Sequence, residues 1–115
     1  MINTKPSRAV EKKWLDRVAA HGCVITGQSN IQIHHCRGRE AKHNKYHIGR
    51  WFVLPLAFEL HDVSSNHPLN ITHHRKAFVD RYGTEGLLFW NMCHSMNGIW
   101  PFDDDVMAAI LATRR

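Results

Sequence analysis

Between Ser7 and His21 the apolar residues Val10, Trp14, Leu15, Val18 and Ala19 recur at three- and four-residue intervals. This spacing predicts an amphipathic helix, stopped by Gly22. After a turn-like Thr26–Asn30, Ile31 and Ile33 alternate with polar neighbours, predicting a short strand that ends at His34 and His35. The polar, basic stretch Arg37–Gly49 predicts a loop, and the apolar run Trp51–Leu56 a second strand stopped by Pro55. Leu56–Asp62 then favours a short helix carrying His61. Further on, Phe78 and Tyr82 stand four residues apart before Gly83, with Asn70 or Thr72 placed to cap that helix. Thr84–Met96 reads as another helix, and Asp103–Asp105 as the cap of a last one ending at Arg114 and Arg115. The expected class is α+β: a small, mainly helical domain built around a strand, strand, helix core.

The 115 residues suit a single domain spanning 1–115. No apolar run reaches the roughly 18 residues of a membrane-spanning helix, and the charged, amphipathic N-terminal stretch differs from a secretory signal. These features predict a cytoplasmic protein without a membrane partner. Lys and Arg outnumber Asp and Glu by 15 to 10, which favours an anionic partner, whether nucleic acid or membrane lipid. Three widely spaced cysteines with no CxxC pair fit reduced thiols. Ten histidines are unusual, and their placement points to metal or acid–base chemistry.

A hairpin and a helix that clamp one divalent cation can hold a scissile phosphate, provided a neutral histidine beside the metal activates water. That division of labour assigns His34 as a metal ligand on the first strand and His61 as a second on the helix. His35 is then the general base, and His67 a third ligand if the chain curls back. A regular strand would send His34 and His35 to opposite faces, so the assignment expects the strand to bend or end there. Arg37, Arg39, Lys42, His43, Lys45 and Arg50 form the expected DNA-backbone contacts. The histidine-rich shell suits Zn²⁺, Ni²⁺ or Mn²⁺, and Mg²⁺ can act with waters and phosphate completing its shell.

Five segments carry a family resemblance: His21–Thr26 (HGCVIT), Gln32–Glu40 (QIHHCRGRE), Trp51–Asp62 (WFVLPLAFELHD), His67–Pro68 and Phe78–Leu88 (FVDRYGTEGLL). In that order they resemble the bacteriophage recombination enhancement function (Ref) nucleases, within the HNH or ββα-metal endonucleases. The likeness covers about residues 13–88 and leaves 89–115 as a helical extension. It implies a ββα-metal core, DNA cleavage linked to recombination, and a RecA-type recombinase filament as a partner. Relatives also carry a cysteine cluster suited to structural zinc. Here Thr26, Ala57 and Leu60 stand at three of its positions and only Cys23 remains, so no structural zinc is expected.

The alternative reading is a non-catalytic module that keeps the scaffold to bind DNA or protein. A third is a small regulator acting through Trp90, Trp100 and Phe102, although these rings suit a core. Asn44, His47 and Arg50 remain open as the residue that braces the base-bearing loop.

Overall fold

In the computed structural model of this chain, residues 3–114 are described, and among them lie five helices and two small two-stranded antiparallel sheets. The class is α+β. Helix α1 (Arg8–His21) begins where Ser7 Oγ accepts a hydrogen bond from Val10 N, and ends at Gly22 with φ of 83°. Its inward stripe is Glu11, Trp14 and Val18, all buried. Trp14 Nε1 donates to the Trp51 carbonyl at 2.9 Å, which fastens the helix to the next structural unit.

That unit is a ribbon in which β1 (Ile31–His35) pairs antiparallel with the later strand Val53–Ala57, from Ile31 opposite Ala57 to His35 opposite Val53. The segment between them is not a plain loop. It folds back as β2 (Lys42–His43) and β3 (Tyr46–His47), turning through Asn44 and Lys45 at φ of 51° and 71°. Two successive positive φ values match the handedness that two-residue hairpins require. The tip is pinned by buried Ile48 and Trp51, and by Thr4, whose hydroxyl takes the His47 N–H at 2.8 Å. The Val53–Ala57 strand, β4, also corrects an expectation, because Pro55 lies within it opposite Ile33. Its carbonyl points away from β1 and accepts from Val24 N. The side where its N–H would lie is therefore the outer edge, where no ladder bond is lost.

Helix α2 (Phe58–His61) is a single turn directly after β4. The following loop is held by Asn70, fully buried, whose amide donates to the Glu59 and Asp62 carbonyls and accepts from Thr72 N and His73 N. Asn70 thus braces the loop instead of capping α3 (Arg75–Tyr82), where His74 stands at the cap without a side-chain bond. Helix α4 (Glu85–Ser95) is capped by Thr84. Helix α5 (Asp104–Ala112) has Asp103 at its cap position without a side-chain bond; it stops before Arg114, and Arg115 lies outside the described residues.

Helices α1, α2 and α4 pack on the ribbon, and α5 packs on α4 and β3. Phe52, Leu54, Leu56 and Phe89 are fully buried between them, and each such side chain stabilises the fold by about 1.5–3 kcal/mol. Phe102 belongs to this core; Trp90 and Trp100 are partly buried against it. No helix among the described residues is long and apolar enough to cross a membrane.

Candidate functional site

Strand alternation decides what the ribbon presents. Gln32 and His34 share one face of β1, and both reach α2 or α4: His34 Nε2 meets Glu85 Oε2 at 2.8 Å, and Gln32 meets both His61 and Asp62. His35 takes the opposite face. It lines an open groove of about 710 Å³ with Arg8, Glu11 and Lys12 of α1 and with Arg39. The strand remains paired through His35, so the two neighbouring histidines diverge as a regular strand requires.

The structure brings His34 and His61 together, with ring centres 5.0 Å apart and planes at 65°. Two imidazoles on one tetrahedral ion, each bound at about 2.0–2.1 Å, bring their ring centres to roughly 5 Å. The observed separation therefore fits shared ligation. Each ring is also held through one of its nitrogens. His61 Nδ1 lies 2.6 Å from Gln32 Oε1, while Gln32 Nε2 donates to Asp62 Oδ1 at 2.9 Å. Burial pushes the His61 pKa down, with the His34 charge adding to the effect, so its ring favours the neutral form. Asp62, stabilised by the Gln32 and Ser64 hydrogen bonds, is held down to about 2.

Glu85 is fully buried at the start of α4 and pairs with both Arg75 and His34. Burial alone would raise its pKa, but the His34 and Cys36 hydrogen bonds and the Arg75 charge outweigh it and hold the carboxyl below its ordinary range. His34, Cys36 and Glu85 offer nitrogen, sulfur and oxygen donors within 4.8 Å of one another.

His67 does not join a convergent group of three or more His, Cys, Asp or Glu donors among the described residues. Its Nδ1 accepts the Leu69 N–H at 3.0 Å, which in the neutral ring leaves the proton on Nε2. No protein-family model, curated protein or solved structure matches the chain.

His35 is half-buried, and its Nε2 is enclosed without a hydrogen-bond partner. Desolvation lowers its pKa; the nearby Glu11 charge opposes this, while Arg39 and His34 reinforce it. Of the expected phosphate contacts, Arg39 makes a two-point contact with Glu11, and Arg50, only 14% exposed, turns onto Glu11 and Glu40. Arg37, Lys42 and Lys45 are exposed and His43 is half-buried; none makes an ion pair among the described residues. Of the bracing candidates, buried His47 accepts the Arg50 N–H through Nε2 and so shapes the tip. Cys23 Sγ accepts from Ile25 N and Thr26 N, while Ala57 and Leu60 are core residues.

Sequence reasoning missed Glu85, Gln32, Asp62, Cys36 and Glu11. Period-two alternation could have put Gln32 beside His34. Nothing linear could have brought Glu85 there, since 51 residues separate it from His34.

Proposed function

We propose that this protein is a metal-dependent DNA endonuclease that hydrolyses phosphodiester bonds at a ββα-metal site. The observation that carries this reading is the 5.0 Å approach of His34, on the first strand of the ribbon, to His61, on the helix after the second. A divalent cation of the Mg²⁺, Mn²⁺, Ni²⁺ or Zn²⁺ class, held by these two rings, supplies charge stabilisation to the scissile phosphate and the leaving oxygen.

The remaining work falls to the chain's own residues. His35, whose pKa burial lowers, is the general base; its Nε2 is enclosed on the other face of β1 in the free protein, so its ring turns out past the strand end when substrate binds and then takes the proton from water. A substrate strand reaches it by crossing the end of β1 along the groove lined by Arg8, Glu11, Lys12 and Arg39. Arg37, Lys42, His43 and Lys45 hold neighbouring phosphates. Arg39 joins them by exchanging its Glu11 contact for phosphate, whereas Arg50 acts through the shape of the tip. His67 becomes a third ligand only if its ring releases the Leu69 N–H. Action in the bacterial cytoplasm, linked to recombination and a RecA-type filament, follows from the family resemblance alone.

The test is nicking of supercoiled and single-stranded DNA by metal-stripped protein supplied with each cation in turn, beside His35→Ala. Metal-dependent cutting that His35→Ala abolishes while DNA binding persists supports the reading. DNA binding without cutting under every condition overturns it in favour of a binding module.

A further inference from the structure

The two rings that approach each other are fixed by separate polar chains, and neither chain belongs to the nuclease assignment above. The first runs from Arg75 to Glu85 to His34 Nε2. The second runs from Asp62 through Gln32 to His61 Nδ1. We infer that Glu85 and the Asp62–Gln32 pair are positioning residues that lock His34 and His61 into opposite tautomers, leaving His34 Nδ1 and His61 Nε2 as the metal-binding nitrogens. This inference rests on the metal-site reading for its purpose, but its geometry stands without an ion.

The assignment follows from which atoms can donate. An ionised carboxylate only accepts, so Glu85 Oε2 at 2.8 Å requires the proton on His34 Nε2, and the neutral ring keeps its lone pair on Nδ1. Glu85 is buried beside the Arg75 guanidinium, which favours the ionised carboxylate. The second chain works by orienting an amide. Asp62 Oδ1 can only accept, so Gln32 turns its NH₂ group to Asp62 and its oxygen to His61. That oxygen also accepts only, which places the His61 proton on Nδ1 and the lone pair on Nε2.

Metal-binding histidines characteristically donate their second ring N–H to a carboxylate or carbonyl, which fixes the ring and raises its basicity. Here a carboxylate serves one ring and an amide carbonyl the other. Arg75 in turn offsets the Glu85 charge, making Glu85 a poorer direct ligand than its place among the convergent donors suggests. Its chemistry is to hold His34.

Long-range ¹H–¹⁵N NMR on the metal-free wild-type protein, at a pH where both rings are neutral, reads the tautomers without relying on any variant. The expected result is a proton on His34 Nε2 and on His61 Nδ1. Zn²⁺ titration then tests the purpose, with Glu85→Gln and Gln32→Met each weakening affinity about 10–100-fold while cooperative unfolding is retained. In Glu85→Gln the His34 signals should show a mixture of tautomers. A wild-type proton on His34 Nδ1 or His61 Nε2 overturns the inference. The expected tautomers in a wild-type protein that takes up no Zn²⁺ establish the two locks and overturn the metal reading instead.

Discussion

Replacing Glu85 by Gln keeps the shape of the side chain and removes its charge at the point where α3, α4 and β1 are tied together. Glu85 is fully buried, His34 is 16% exposed at the side chain, and Arg75 is 36% exposed. Removing one partner of a buried pair costs about 3–5 kcal/mol when the other charge is left stranded. Water reaches Arg75 and recovers part of that cost, while the Gln oxygen still accepts one bond. The Gln NH₂, however, must face a donor, whether Arg75 or His34. Charge-assisted hydrogen bonds contribute about 1.5–3 kcal/mol, so the expected loss is about 2–3 kcal/mol. An unfolding entropy of roughly 2.1 cal/mol/K per residue makes 1 kcal/mol worth about 4 °C for a chain of this length, giving a fall in Tm of roughly 8–12 °C. Calorimetry of the wild type, Glu85→Gln, Arg75→Met and the double variant measures both the loss and the coupling. A Tm within about 3 °C of wild type for Glu85→Gln, or additive effects in the double variant, would refute the view of this pair as a structural tie.

Two further perturbations test the frame around the site. Glu11, buried between Arg39 and Arg50, has its pKa lowered chiefly by the Arg39 hydrogen bond, which together with the charges of both arginines outweighs the cost of burial. Its stabilisation, about 1–2 kcal/mol, should therefore be complete above its ordinary pKa of 4.5 and fade as pH falls through the lower folded value. Denaturant titrations of wild type and Glu11→Gln should show a stability gap that closes in acid, and a gap independent of pH would contradict this. At Gly49 an added Cβ would lie 2.2 Å from the Gly38 carbonyl oxygen and 2.5 Å from that of Arg39. Gly49→Ala should thus distort the ribbon tip and lower stability by more than about 2 kcal/mol in a denaturant melt.

Much of this frame was readable in order along the chain because its signals are local. Ser7 and Gly22 bound α1, alternation marks β1, and the apolar run marks β4. Pro55 was misread because its effect depends on which way its missing N–H would point, a property of sheet position. The β2–β3 hairpin was hidden because its turn uses Asn44 and Lys45 in place of the usual glycine. At the site, the pairing of His34 with His61 was legible from their places on a strand and a following helix. The strand was expected to bend or end at His34 and His35 so that both could serve one phosphate; it stays paired through His35, and period two sends the two rings apart. Glu85 reads locally as an acidic residue suited to a helix N-terminus, and only the packing of α4 on the ribbon brings it to His34.

In the proposed site His34 and His61 jointly hold one divalent cation. Equilibrium dialysis of metal-stripped protein against Zn²⁺ tests it most directly, with His34→Ala, His61→Ala and His73→Ala compared in parallel. One ion per chain is expected, lost with either of the first two variants and kept with the third. Binding that survives both His34→Ala and His61→Ala, or no binding by the wild type, would contradict it.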